Sequence, residues 1–225
     1  MTEIRIADFS HTSEAVIDDL YDRLSGSRAT HIRDTARPAA RAQRIVAGYI
    51  LEEILRNWGI TREPEYSYDK NGKPYLTGED SPFISISHSG KYAAAIVSDS
   101  VAGIDIEAAA SHKNADIKRI AARFFCEEEK KWIGENRQRF FEVWTYKEAY
   151  AKAKGVRVAE YLAKWDYTGI MDKTVSCEIE DRQFLETHCG RVFGTRLDFG
   201  GDMARKAGYY RFFNRDFTAF VAVGV

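Results

Sequence analysis

The sequence predicts an α+β fold of two similar halves, each a small antiparallel sheet packed on a long helix. In the first half, apolar residues recur at helical spacing after Pro38 and stop near Gly59, which indicates one long helix. Alternating residues at 83–87 and 92–97 predict a hairpin, and 101–107 adds a third strand. A shorter helix over 13–24, opened by a serine N-cap, precedes them.

The second half repeats this plan of helices followed by a hairpin. We expect helices over 116–125, 127–134 and 140–154, and strands over 175–179, 208–213 and 217–223. The final hairpin has the shape of the earlier one, so the two halves are predicted to be related by a pseudo-twofold axis. We place them at 1–100 and 101–225.

Composition excludes several classes of protein. The chain has 225 residues, of which 44% are hydrophobic, so it can bury a core. A formal net charge of −1 disfavours nonspecific nucleic-acid binding. Cys126, Cys177 and Cys189 lack metal-ligand or paired spacing, which favours reduced thiols. With no basic start before an apolar run and no stretch long enough to cross a bilayer, we expect a cytoplasmic protein.

Two acidic residues alternate with isoleucines in the segment Gly103-Ile104-Asp105-Ile106-Glu107. On a strand, Asp105 and Glu107 leave the same face about 6.5 to 7 Å apart. Taken alone, they are most simply the wet face of a half-exposed strand. Carboxylates this close repel each other, however, and a metal ion or a lysine would relieve that repulsion.

A second charged segment runs from Trp144 to Gly155 and has helical spacing. Gly155 is predicted to be the C-cap, since glycine commonly ends a helix. Glu148 and Lys152, four residues apart, fall on one face of this helix. The simplest interpretation is an exposed pair worth about 0.3 to 0.5 kcal/mol. Together with Asp105 and Glu107, however, it supplies a third carboxylate and a cation, which suits magnesium and a phosphate-bearing substrate.

Two further segments complete a set of four motifs: Asn71-Gly72-Lys73-Pro74 and Phe83-Ile84-Ser85-Ile86-Ser87-His88-Ser89-Gly90. In this order and spacing, the four segments resemble the 4'-phosphopantetheinyl transferases, specifically the longer type that activates peptide and polyketide synthases in secondary metabolite biosynthesis. The resemblance runs from about residue 44 to 155. It implies a pseudo-twofold arrangement with the active site in the cleft between the halves.

The resemblance also implies roles for individual residues. Magnesium would be held by Asp105, Glu107 and Glu148, and Glu148 and Lys152 would be catalytic. The coenzyme would be bound by Arg44, Lys73, Ser87, His88, Asp105, Lys147 and Lys152.

Simpler interpretations remain open for several of these residues. Ser87 and His88 also suit a hairpin turn, Lys73 a charged loop, and Arg44 a solvated helix surface. Glu129 stands where the family carries an acid, but it also suits a helix start. Arg33, Arg37 and Arg41 are further coenzyme-binding candidates.

The activity implied is magnesium-dependent transfer of 4'-phosphopantetheine from coenzyme A to a serine of an apo acyl or peptidyl carrier protein, releasing adenosine 3',5'-bisphosphate. Glu148 would be the general base, directly or through a metal-bound water. An acidic carrier would dock on a basic face that includes Lys113, Lys118 and Arg119, and we expect a monomer that binds neither nucleic acid nor membrane. The alternatives are a metal-dependent nuclease or phosphohydrolase, and a noncatalytic coenzyme-binding module.

Overall fold

A computed structural model describes residues 1–60, 63–111, 116–160, 162–197 and 208–225. Its helices are α1 (Glu14–Asp22), α2 (Gly26–Arg33), α3 (Pro38–Asn57), α4 (Ile117–Phe124), α5 (Glu127–Ile133) and α6 (Arg137–Lys154). The strands are β1 (Thr2–Asp8), β2 (Tyr66–Tyr68), β3 (Pro74–Leu76), β4 (Phe83–Ser89), β5 (Tyr92–Ser98), β6 (Ala102–Ala108), β7 (Thr174–Glu178), β8 (Leu185–Thr187), β9 (Gly190–Leu197), β10 (Gly208–Phe213) and β11 (Phe217–Val223).

The strands form two main sheets and one small hairpin. The first sheet has the order β4-β5-β1-β9-β8 with antiparallel pairing throughout. The second has the order β6-β11-β10-β7, and β7 joins it in parallel while the other pairs are antiparallel. Strands β2 and β3 pair as a separate hairpin.

The two sheets pack face to face between the two long helices. Alternation along β1 sends Ala7 towards α3 and Ile4 and Ile6 towards the second sheet. Likewise, Ile104 and Ile106 of β6 face the first sheet. The opposite face of β6, with its acidic residues, is therefore the one covered by α6.

The predicted α+β class is confirmed. The long helices, both hairpins and the αL C-cap at Gly155 (φ 67°) also lie where the sequence predicts them. Strand β1 and helix α2 were not anticipated. Strands β8 and β9, from the second half of the chain, extend the first sheet beyond β1. The domain boundary at residue 100 and the pseudo-twofold axis stay predictions.

All three cysteines are free, and only Cys189 is buried. Within the described ranges, no helix combines the length and apolar character needed to cross a membrane.

Candidate active site

The site begins with the contact between β6 and α6, which is unusually close at Gly103. A Cβ atom added at Gly103 would lie 2.0 Å from the carbonyl oxygen of Ala149 and 2.5 Å from the backbone nitrogen of Ala153. Only glycine fits there, and the two alanines let the helix rest on the strand. This contact sets the acidic face of β6 beside Glu148 and Lys152.

Asp105 is the centre of the polar contacts at this junction. Its Oδ1 atom accepts a hydrogen bond of 2.7 Å from the Ser87 hydroxyl and forms an ion pair of 2.7 Å with the Lys152 ammonium. The side chain is 5% exposed, and its Oδ2 atom is buried without a hydrogen-bond partner among the described residues. A buried carboxylate oxygen without a partner is costly, so this atom is suited to bind a ligand or an ion.

Serines of β4 hold the acidic strand at its outer edge. The Ser85 hydroxyl accepts from the backbone N–H of Ile104 at 3.2 Å, and the Ser89 hydroxyl donates to Glu107 Oε2 at 2.7 Å. Together with the Ser87 contact, these bonds connect Ser85, Ser87 and Ser89 of β4 to β6. The alternation of serines from 85 to 89 therefore joins the two sheets and orients both carboxylates.

Glu148 shares this acidic environment. The pKa of Glu148 is raised to about 7, first by burial and then by the nearby Asp105 and Glu107 carboxylates, while Lys152 opposes the rise. The influence of Asp105 and Glu107 on Glu148 puts the three acids in one region of the cavity, where a cation would relieve their repulsion.

A cavity of about 650 Å³ contains all three acids and Lys152, together with residues from both halves. Its wall also carries basic side chains from α2 and α3, namely Arg28, His31 and Arg44. Arg28 is 2% exposed, its Nη1 donates to the Tyr68 hydroxyl at 3.3 Å, and its Nε has no hydrogen-bond partner among the described residues. A buried guanidinium with a spare donor is well suited to a phosphate.

Two histidines line the same cavity, and both are held neutral. Burial, followed by Lys152 and Arg44, lowers the pKa of His88 to about 4. Burial and the guanidiniums of Arg28 and Arg44 also lower the pKa of His31, whose ring stacks on Tyr68 at 3.8 Å. An anion bound beside either ring would raise its pKa.

Comparison with known proteins decides the family. Residues 102–194 match the model of the 4'-phosphopantetheinyl transferase superfamily, a segment that contains all three cavity acids and Lys152. This segment of the chain belongs to the superfamily. It is 33% identical over 135 residues to the 4'-phosphopantetheinyl transferase gsp of Aneurinibacillus migulanus, covering 57% of this chain and 52% of that protein.

A second relative is the 4'-phosphopantetheinyl transferase HetI of a Nostoc species, 30% identical over 159 residues. That match covers 65% of this chain and 66% of HetI. The chain thus spans between about half and just under two thirds of the length of these relatives.

Most of the predicted site residues line the cavity. Arg44, Lys73, Ser87, His88, Asp105, Glu107, Glu148 and Lys152 all line it. Besides the contacts of the acids and Lys152 described above, three of them already have partners within the protein. The Ser87 hydroxyl bonds to Asp105, the Lys73 ammonium donates to the carbonyl oxygen of Lys152 at 2.5 Å, and Arg44 donates to the Thr35 hydroxyl at 3.0 Å.

Lys147 is not brought to the cavity, so its predicted place beside the coenzyme needs correction. It is fully buried on the other side of α6, where its ammonium pairs with Glu129 at 2.9 Å. It also donates to the carbonyl oxygens of Leu162 and Trp165. Neighbouring residues on a helix point about 100° apart, and here Glu148 faces the cavity while Lys147 lies on a different face of α6.

Glu129 belongs to that buried side as well. It accepts from the backbone N–H groups of Cys126 at 3.1 Å and Tyr167 at 2.8 Å, so it caps α5 as well as pairing with Lys147. Cys126, Glu129 and Asp166 have ligand atoms that all lie within 4.8 Å of one another. The Lys147 ammonium already neutralises Glu129 there. Among the described residues, the three cavity acids do not form a group as compact as this one.

The remaining basic candidates lie elsewhere. Arg41 pairs with Asp18 at 3.0 Å, Arg33 lies 3.7 Å from Asp34, and Arg37 precedes α3. None of these three is among the residues lining the cavity. Lys113 falls outside the described residues, whereas Lys118 and Arg119 are exposed on α4.

The sequence interpretation missed Arg28, His31 and Tyr68. The only signal for the first two is their spacing of three residues, which puts both on one face of a short helix. Helix α2 itself was missed because its sequence, GSRATHIR, has little apolar periodicity.

Proposed function

We propose that this chain transfers 4'-phosphopantetheine from coenzyme A to a serine of an apo acyl or peptidyl carrier protein. The observation that carries the proposal is the single cavity that holds both an acidic cluster with Lys152 and a basic group formed by Arg28 and Arg44. Coenzyme A has matching chemistry, since it carries a pyrophosphate and a separate 3'-phosphate. The gsp and HetI proteins bear the name of this activity.

The cavity acids suit magnesium. Asp105, Glu107 and Glu148 offer hard oxygen ligands, and Asp105 Oδ2 lacks a hydrogen-bond partner among the described residues. Burial and the two neighbouring carboxylates raise the pKa of Glu148, and a cation would relieve the repulsion among the acids. When bound, the ion would offset the charge that develops on the pyrophosphate as the leaving group departs.

The protein's own groups would carry the remaining steps. The carrier serine oxygen attacks the phosphorus that bears the pantetheine arm, and the bond from that phosphorus to adenosine 3',5'-bisphosphate breaks. Glu148 accepts the serine proton, and its pKa of about 7 leaves a useful fraction of carboxylate at neutral pH. Lys152 stabilises charge on the departing phosphate, while Arg28 and Arg44 hold the 3'-phosphate.

The carrier would dock on the exposed basic side chains of α4. Lys118 pairs at 2.5 Å with Glu135, an exposed contact that an acidic carrier would replace at little cost. Arg119, on the same helix, is exposed to solvent. Binding that weakens with salt would support this face, whereas unchanged binding of a Lys118→Ala/Arg119→Ala variant would argue for another.

Intact-mass measurement of several apo carriers tests the proposed activity. After incubation with coenzyme A and magnesium, we expect a carrier to gain one phosphopantetheine, and the gain to require its acceptor serine. Coenzyme binding without transfer to any carrier would favour a noncatalytic module. Cleavage of nucleic acids or simple phosphoesters in parallel assays would favour the hydrolytic alternative.

The magnesium requirement, the cytoplasmic location and the monomeric state stay predictions.

A further inference from the structure

The C-terminus of α6 carries backbone carbonyls that its own cap does not fully satisfy. The Gly155 N–H donates to the carbonyl oxygen of Lys152 over a long distance of 3.4 Å, and the Val156 N–H donates to the carbonyl oxygen of Ala151 at 3.1 Å. The final carbonyls of a helix also carry partial negative charge. The end of α6 therefore needs donors, preferably cationic ones, from elsewhere in the molecule.

Those donors come from the loop between β2 and β3, residues 69–73. The Lys73 ammonium donates to the carbonyl of Lys152 at 2.5 Å and reaches that of Ala102, at the start of β6, at 3.5 Å. The Asn71 amide donates to the carbonyl of Gly155 at 3.1 Å. One loop of the N-terminal half thus contacts both elements that carry the cavity acids.

The loop is built rigidly for this contact. Asp69 Oδ1 accepts from the backbone N–H groups of Asn71 at 2.8 Å and Lys73 at 2.9 Å. Gly72 turns the chain with a φ of +83°, a conformation that disfavours other residues. Arg157 donates to Asn71 Oδ1 at 3.0 Å, which leaves the amide nitrogen directed at Gly155.

We infer that Asn71 and Lys73 are positioning residues that clamp the end of α6 onto β6 and so fix Lys152 against Asp105. The alternative is that Lys73 binds a phosphate of the coenzyme directly. Its ammonium already holds two carbonyls and lies near Lys152, and this crowding suits a structural contact better than a second phosphate ligand. The catalytic part of this inference rests on the proposed function, but the clamp itself does not.

Hydrogen–deuterium exchange of the ligand-free protein tests the clamp without any assay of activity. In Lys73→Met and in the milder Asn71→Ala, we expect exchange in the peptide covering 149–157 to accelerate by about 5- to 30-fold. Lys70→Met is the matched control, since Lys70 is an exposed lysine of the same loop and does not line the cavity. It should exchange like wild type. Unchanged exchange in both test variants would overturn the inference.

Kinetics separate positioning from phosphate binding. For Lys73→Met, the clamp predicts a fall in kcat of about 10-fold or more with the KM for coenzyme A within about 3-fold of wild type. Lys73→Arg, which keeps donors for both carbonyls, should recover most of kcat. A rise in KM at constant kcat would instead make Lys73 a coenzyme ligand and contradict the inference. If wild type itself transfers nothing, the proposed function fails while the exchange result still decides the clamp.

Discussion

Helices α3 and α6 each cover one sheet, but they bury very different side chains. The sheet-facing side of α3 is apolar, with Ile50, Leu51 and Ile54 almost fully buried. Helix α6 buries the charged Glu142 and Lys147, and its contact with β6 depends on small residues. Both helices bury apolar residues and a glutamate, Glu52 in α3 and Glu142 in α6. The contrast teaches that α6 adds a buried lysine and a close backbone approach to its sheet, so its position depends on specific contacts as well as on hydrophobic burial.

Removing a charged group from each helix should separate chemistry from binding. We expect Glu148→Gln on α6 to lower kcat by about 10²- to 10³-fold, because the variant keeps the shape but loses the base and a metal ligand. Arg44→Gln on α3 should mainly raise the KM for coenzyme A, by about 10-fold or more. Steady-state kinetics with an apo carrier measures both, and circular dichroism checks that each variant is folded.

Dephospho-coenzyme A, which lacks the 3'-phosphate, sharpens that comparison. It should be a poorer substrate than coenzyme A for wild type, and the difference should be smaller for Arg44→Gln, in which Arg28 alone remains to hold the 3'-phosphate. Equal discrimination by both proteins would remove Arg44 from the phosphate site.

Two glycines, Gly103 in β6 and Gly48 in α3, provide a matched pair of tests of protein stability. Gly103→Ala should destabilise the protein by about 3 kcal/mol or more, since its Cβ would overlap the backbone of α6 at 2.0 Å. At Gly48 in α3, a Cβ would lie 3.0 Å from the movable Arg28 side chain, so Gly48→Ala should change stability by only about 1 kcal/mol in either direction. Urea denaturation gives both values, and equal losses would contradict the distinction between the helices.

A pH dependence of stability is also expected from α6. The pKa of Glu148 is raised from 4.5 to about 7 in the folded protein, so folding favours its protonated form. Stability should therefore fall as pH rises from about 4.5 to about 7 in metal-free buffer, and Glu148→Gln should lack this component. Thermal unfolding across this range, with chelator present, compares the two proteins. Parallel curves would mean that burial and the neighbouring carboxylates do not raise the pKa of Glu148 as described.

Local sequence patterns were sufficient for much of the site. Alternation along β6 put Asp105 and Glu107 on one face, and glycine at 155 marked the end of α6. The orientation of Lys147 could not be deduced, because α6 buries polar groups on its far side and hydrophobic periodicity then fails to show which face is inside. The pairing of β9 with β1 joins residues about 190 positions apart, which no local pattern records.

The central claim is that Asp105, Glu107 and Glu148 share one divalent ion in the cavity. Anomalous diffraction from crystals grown with manganese and coenzyme A tests it most directly. We predict one manganese peak within about 2.0 to 2.6 Å of an oxygen from each of the three side chains. A peak beside Cys126, Glu129 and Asp166 instead, or a cavity ion that touches only one of the acids, would contradict the account.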